Sequence, residues 1–326
     1  MKFSFSSDQT EFASGLREML SREFTAAHLR AVWDDGTGHD SRLWSRLAEM
    51  GVLAMMVPDS AGGLGGTFVD AVLLLEELGR AGVPGPVVET MAVGALALAD
   101  PGIADGSTLV TAALMNEPYL PHAQVATALL STVDEVLYVS DVTAASFETV
   151  KGLDGGRSLS IDSGATGGSL LVLSRGDAIN AGALGTAGYL LGLSSRMLAM
   201  AGDYARDRHQ FGQPIGSFQA VKHLMADALL QVEFARPAVY RAAWSIATRA
   251  ETVDRDVSMA KALASEAAQK AARGALQVHG AIGYTWECDL QLYMKKAWAL
   301  MPAWGSAQFH RRRVADAVLG ARKTAQ

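Results

Sequence analysis

Three short stretches hold most of the residue types able to do chemistry. RDRHQFGQPIGSFQAVKH, Arg206 to His223, packs basic groups, an aromatic ring and a turn with Gly and Pro ahead of a long helical pattern. Cations beside an aromatic ring are the tools for holding an anion or a flat ring. QVHGAIGYTWE, Gln277 to Glu287, adds an amide and closely spaced glycines. MPAWGSAQFHR, Met301 to Arg311, matters through a residue it lacks. Other chemistries find little support. His209 and His279 have no metal-ligand spacing around them and read as packing or surface residues. DSAGGLGGT lacks the strand, spacing and Lys of a phosphate-binding loop, so its glycines read as positions of positive φ or close backbone approach. The run Arg311 to Arg313 reads as a solvated helix face.

Composition narrows the classes further. The chain has 326 residues, enough for two or three structural units. Hydrophobic residues make up 49% and charged residues 19%, which marks a globular protein. A net charge of −6 gives no basic surface to grip nucleic acid. The single cysteine, Cys288, can form no disulfide within the chain and reads as a lone buried thiol. A reducing cytoplasm is the expected location. The start, KFSFSSDQTEF, has no apolar signal core. Ala178 to Ser195 is uncharged over 18 residues but holds Asn180, four glycines, Thr186 and two serines. A buried helix with small residues at close contacts is expected there, and no membrane span.

The elements that must position these stretches fall into three regions. Residues 8 to 100 read mainly helical. SSDQTEFASGLREML places Phe12, Leu16, Met19 and Leu20 on one face behind polar cap candidates. RLWSRLAEMGVLAMMVP predicts a second helix ending near Gly51, and FVDAVLLLEELGRAGV a third, stopped by Pro84 and Pro86. ETMAVGALALA predicts a fourth. Residues 101 to 177 change character. TLVTAALM, EVLYVS, FETVKGL, RSLSI and SLLVLS are short β-branched runs separated by Gly and Asp, which predicts a small β domain. From 178 to 326 the pattern is helical again. Val221, Leu224, Met225, Ala228, Leu229, Val232 and Ala235 recur at helical spacing, as do Met259, Leu263, Ala267, Ala271, Ala275 and Val278. Alanines on such faces allow close antiparallel packing, as in a four-helix bundle.

RDRHQFGQPIGSFQAVKHLMAD resembles the R-x-x-F-G-x-x-I-x-x-F-Q signature of the acyl-CoA dehydrogenase family, and QVHGAIGYTWECDLQLYMKKA resembles its second signature, Q-x-x-G-G-x-G-Y-T-x-E. PDSAGGLGGTFVDAVLLLEELGR resembles the family's N-terminal domain. The resemblance covers residues 8 to 100 and 178 to 326 and is poor in the middle. It implies a mainly α fold with a small β domain: an N-terminal helical domain (1–100), a reduced middle β domain (101–177) and a C-terminal four-helix bundle (178–326). It also implies FAD at a subunit boundary. One subunit's β domain holds the isoalloxazine, and the neighbour's bundle holds the ADP end. Carried over, Arg208 faces the pyrophosphate with Gln210 and Phe211 beside it, and Gln277 and Gly280 approach the adenosine and pyrophosphate backbone. Ala281 replaces the family's second glycine.

The family's reaction needs a Glu to take the α-proton of an acyl-CoA while the flavin takes the β-hydrogen as hydride. Most members place it in Y-E-G-T. Here that stretch is Pro302-Ala303-Trp304-Gly305-Ser306, and the indole of Trp304 cannot accept a proton. Other members place the Glu on the first bundle helix, at a position that aligns with Gly182, with Gly192 matching a family glycine in the same register. Ala183 stands where the family often keeps an Arg. Of the middle-domain motifs T-E-P-x-x-G-S-D and W-I-T-N, only Asn116-Glu117-Pro118 is found. The chain thus resembles the short, base-lacking subunit of the α2β2 acyl-CoA dehydrogenases of bacterial steroid breakdown. The partners this implies are a full-length dehydrogenase subunit carrying the Glu, an acyl-CoA, and an electron-transfer flavoprotein or similar acceptor. A flavin-free paralogue with a structural or regulatory role is the alternative. A homo-oligomeric enzyme using Glu287 or Asp289 is a third.

Overall fold

The structure is a computed structural model that describes residues 4–115, 119–144, 147–150, 152–156, 159–162 and 168–320. Asn116, Glu117 and Pro118, the remnant of the flavin-cradle motif, lie outside the described residues.

The N-terminal helices start where short polar side chains can satisfy free backbone N–H groups. α1 (Ser7–Glu23) begins with a Ser6/Gln9 capping box and buries Ala13, Leu16, Met19 and Leu20. α2 (Ala26–Asp35) was not expected from the sequence; it begins after Thr25 and stops at Gly36, φ 74°. α3 (Ser41–Glu49) is the core of the second expected helix, which ends earlier than its apolar run because Gly51 takes φ 80°. In the glycine-rich loop that follows, Gly62 and Gly65 have positive φ, and a Cβ on Gly66 would stand 2.7 Å from the Met55 carbonyl oxygen. α4 (Phe68–Ala81) has a Thr67/Asp70 capping box and closes at Gly82, φ 72°. The fourth expected helix is a π-helical stretch, Glu89–Gly94, running into α5 (Ala95–Leu98). A short α6 (Pro101–Asp105) follows.

The strands are β1 (Val110–Ala113), β2 (Tyr119–Pro121), β3 (Ala128–Val133), β4 (Val136–Asp141), β5 (Phe147–Val150), β6 (Leu159–Asp162) and β7 (Ser169–Leu170). Among the described residues they form a sheet of order β1-β3-β4-β7 and a smaller one of order β2-β6-β5. Sequence reading missed β3, although it is the strand that joins the larger sheet: parallel to β1 and antiparallel to β4. A second, small core of Leu120, Ala123, Ala126, Leu129 and Val142 draws on strands of both sheets.

The bundle opens with α7 (Arg175–Asp207), 33 residues long and buried along its first half. Its glycines answer the question raised by the uncharged run. A Cβ on Gly192 would overlap the Glu76 carbonyl oxygen and lie 2.5 Å from the Arg80 nitrogen. α7 therefore crosses α4 backbone to backbone. A hairpin of β8 (His209–Gln210) and β9 (Gln213–Pro214) leads into α8 (Gln219–Ala247) and α9 (Val253–His279). α9 packs on both α7 and α8 through fully buried alanines, among them Ala260, Ala264, Ala267 and Ala271. Two expected core positions are exposed instead, Leu229 on α8 and Met259 on α9, where Met259 shares the exposed face with Lys270, Arg273 and Gln277. Cys288 is half-buried. α10 (Leu290–Leu300) and α11 (Ala307–Leu319) complete the chain. Arg311 and Arg312 face solvent as expected, but Arg313 donates to Asn180 (3.1 Å) and Asp254 (2.9 Å). Among the described residues no helix is long and apolar enough to cross a membrane.

Candidate functional site

Helix ends build the first part of the site. α7 stops at Asp207, and the Arg208 N–H still donates to the Tyr204 carbonyl at 2.9 Å. The chain then reverses through Phe211 and Gly212, with φ of 54° and 81°. Two successive positive φ values match the tight two-residue hairpin turn. A bulky aromatic residue is costly in that conformation. Phe211 nevertheless holds it with 91% of its surface exposed, steadied by an edge contact to Phe218 at 6.1 Å between centroids. α9 ends at His279, and Gly280 takes φ 63°, ψ −141°. A Cβ there would meet nothing, so glycine serves the backbone shape and leaves the space above it open. The rings of Tyr204 and His279 stack at 4.6 Å and tie these two helix ends together. His279 is buried and hydrogen-bonded to the Ala275 carbonyl oxygen (2.8 Å), which is a packing role.

Arg208, Gln210, Phe211 and Gln277 are all exposed, and Gly280 is half-buried. No ion pair within this chain engages Arg208 among the described residues. Tyr284 and Trp286, on the loop after Gly280, are 80% and 66% exposed. A free guanidinium, two amides, an aromatic tip and an unblocked glycine can hold a diphosphate and a flat base. These residues therefore fit the ADP side of FAD.

The second part is the pair of positions, 182 and 304, at which the sequence resemblance would place a base. They touch. A Cβ built on Gly182 would lie 2.5 Å or less from three carbons of the Trp304 ring. Trp304 is 7% exposed and has φ 58°; Gly305 follows with φ 99°. Buried donors fix this loop. The Lys261 ammonium, fully buried on α9, donates to the carbonyls of Met301 (2.8 Å) and Gly305 (3.1 Å) and to the Ser265 hydroxyl (3.3 Å). His310 Nε2 is 2.9 Å from the Trp304 carbonyl oxygen, which can only accept, so Nε2 carries the proton. Its Nδ1 then accepts from the Ser258 hydroxyl at 3.2 Å. Burial pushes the imidazole down to about 4, so it is neutral at pH 7.

The cavity left between Trp304 and the β domain is about 20 Å³, lined by Glu89, Ala112, Leu114, Met115 and Ala303. That is room for about one water, for which roughly 10–15 Å³ suffices, whereas ligand pockets run to roughly 300 Å³ or more. A three-ring isoalloxazine does not fit it. Glu89 is a buried carboxylate that the sequence did not reveal, because it sits in the apolar run VVETMAVGAL with no motif around it. With His122, itself at φ 58°, it also lines a neighbouring cavity of similar size. Neither Glu287 nor Asp289 reaches the Trp304 cavity. Glu287 is exposed, its carboxyl held below the usual range by hydrogen bonds from its own backbone N–H and the Thr285 hydroxyl. Asp289 pairs with Arg30 at 2.7 Å. A larger cleft, about 650 Å³, lies elsewhere, where Trp33 and Trp286 flank the Lys295 ammonium at 5.6 and 4.1 Å.

Known proteins share this architecture. The acyl-CoA dehydrogenase N-terminal domain matches residues 6–108 and the C-terminal domain matches residues 175–319. The acyl-CoA dehydrogenase IpdE2 of Mycolicibacterium smegmatis is 35% identical over 86% of this chain and 88% of its own length. IpdE2 of Mycobacterium tuberculosis is 34% identical over 86% and 87%. Among solved structures, the ChsE4-ChsE5 complex from Mycobacterium tuberculosis contains a chain that superposes with a TM-score of 0.88 at 24% identity, over 98% of this chain and all of that one. The Tcur3481-Tcur3483 steroid ACAD G363A variant gives 0.87 at 24% identity, over 96% and 98%. Two matched domains and relatives aligned over most of their length leave one assignment: the chain belongs to the acyl-CoA dehydrogenase family, a family of FAD-dependent oxidoreductases.

Proposed function

We propose that this chain is the non-catalytic subunit of a heteromeric, FAD-dependent acyl-CoA dehydrogenase. A full-length partner brings the catalytic Glu and the isoalloxazine cradle. This chain brings Arg208, Gln210, Phe211, Gln277 and Gly280 to the ADP end of the same FAD. The product is the 2,3-enoyl-CoA of a bulky, steroid-derived acyl-CoA, and the electrons leave to an electron-transfer flavoprotein or similar acceptor. FAD, when bound, supplies the hydride acceptor; this chain's residues bind and orient it and exchange no proton. The single observation that carries the reading is the contact of Trp304 with Gly182, which closes this chain's own catalytic cavity while the signature face stays open. Two solved neighbours named as pairs, ChsE4-ChsE5 and the steroid ACAD Tcur3481-Tcur3483, support a two-chain assembly.

The test is flavin stoichiometry. The chain is purified alone and together with the full-length dehydrogenase that co-purifies with it, and flavin absorbance is read against protein. The expected result is no flavin alone and one per heterodimer in the complex. Arg208→Ala in the complex removes a charge-assisted contact of about 1.5–3 kcal/mol, so flavin affinity should drop roughly 10- to 150-fold. One flavin per chain in the lone protein contradicts the reading. No flavin in either sample favours the flavin-free paralogue.

A further inference from the structure

We propose that Trp304 is the permanent occupant of the acyl site of this chain, and that removing its indole reopens the site as a cavity for a planar, apolar, bicyclic ring. The inference rests on the reading of this chain as the non-catalytic subunit and gives it a physical cause: the site is filled by its own chain, not merely short of a base.

Four observations converge. The indole lies against Gly182, so the helix position that could carry a base now carries no atoms at all beyond the backbone. The indole is 7% exposed, and the space left beside it is about 20 Å³. Trp304 is held with φ 58°, a conformation that a large side chain adopts only when its surroundings impose it. What imposes it is visible: Lys261 grips the carbonyls of Met301 and Gly305, and His310 grips that of Trp304. Lys261 and His310 are positioning residues for the plug. Both are fully buried, Lys261 on α9 and His310 on α11.

The two positions are therefore complementary: glycine at 182 is required because tryptophan stands at 304. This gives a test with an inversion of sign. In a helix interior with free space, Gly→Ala is stabilising. In the native chain, Gly182→Ala should lower Tm by roughly 2–8 °C, because the new methyl displaces the indole. Trp304→Gly relieves the positive φ but empties the ring's volume, so Tm should fall by roughly 5–15 °C. In the Trp304→Gly background, Gly182→Ala should then raise Tm. Free indole should bind the Trp304→Gly variant saturably and raise its Tm, as an apolar ligand does in an engineered apolar cavity, and leave the native chain unmoved.

If Gly182→Ala lowers Tm equally in both backgrounds, the plug is overturned. It is equally overturned if indole shifts neither the variant's Tm nor its heat of titration. Should Gly182→Ala prevent folding on its own, the single Trp304→Gly variant with indole decides alone. These results are separable from the subunit assignment. Two flavins per heterodimer would end that assignment whatever the cycle shows. Additive substitutions with one flavin per heterodimer would end the plug and leave the assignment standing.

Discussion

His310 is a titratable group that the fold keeps neutral. It is fully buried, its Nε2–H donates to the Trp304 carbonyl and its Nδ1 accepts from Ser258. Burial lowers its pKa to about 4; the bond to Trp304 opposes that, and the charges of Lys261 and Arg313 add to it. The unfolded chain titrates near 6.5. A depressed pKa means that the unfolded state binds the proton first. This histidine's share of stability is thus intact above about pH 6.5 and drains away as pH falls towards 4. The full difference corresponds to roughly 3 kcal/mol. The expected outcome is that urea unfolding from neutral pH down to about 4.5 shows a steep loss of stability, and that His310→Gln, which can still donate to Trp304, flattens it. Parallel pH profiles for the two proteins would show that His310 does not carry the dependence. Of the residues around the Trp304 loop, the sequence revealed only what is missing. Trp304 and Gly182 were each readable as base positions without a base. That they touch was not readable, because the contact joins positions on two elements distant in the chain.

At the scale of elements, the crossing of α4 and α7 sets how the N-terminal helices meet the bundle. A Cβ on Gly79 would come within 2.8 Å of the Tyr189 carbonyl carbon, and one on Gly192 would overlap the Glu76 carbonyl oxygen. Backbone atoms cannot rotate away as side chains do. Gly192→Ala should therefore cost about 3 kcal/mol or more in urea unfolding, at the upper end of overpacking. Gly202→Ala is the control on the same helix: its nearest neighbour would be the Arg206 guanidinium at 3.8 Å, so it should be neutral or stabilise by up to about 1 kcal/mol. Equal effects at the two sites would refute the backbone crossing. This element was legible because small residues spaced along an uncharged run have few other uses. α9 was legible for the same reason, through its buried alanines. α2 was not: AAHLRAVWDD holds too short an apolar stripe to show a period. β3 was not either, since ALLSTV is a continuous apolar run followed by polar residues, and its partners β1 and β4 are what make it a strand. Leu229 and Met259 fit a helical period yet lie exposed, because a sequence period does not say how wide the covered stripe is.

Across the whole molecule, one buried ion pair links all three regions. Asp154, in the β region, is 1% exposed at its side chain and takes the Lys296 ammonium of α10 at 3.4 Å, while its other oxygen accepts the Gly156 N–H at 2.9 Å. The Lys296 ammonium also lies 5.7 Å from the centroid of the Tyr189 ring on α7. Tyr189, whose hydroxyl is pushed well up by burial, donates in turn to the Val83 carbonyl, just past the end of α4, at 2.6 Å. The reduced β region has short strands and a small core of its own, so its placement depends on such contacts with the bundle. Two charges were taken out of water to make the pair, and their attraction only roughly offsets that cost. Removing one partner is different, because the other stays buried without a counter-charge. Asp154→Asn should therefore destabilise by about 3–5 kcal/mol in urea unfolding, whereas the double change Asp154→Leu with Lys296→Met should restore most of the loss. If the single substitution cost no more than a surface change, the pair would not be what holds the β region to the bundle. If the double variant is as stable as the native chain and yet joins its partner less well, the pair fixes orientation more than stability. That outcome would be telling for assembly, since Asp154 also lines the 650 Å³ cleft whose wall includes Trp286, on the loop of the second signature. A tilt of the β region would reach the face proposed to hold FAD through that cleft wall.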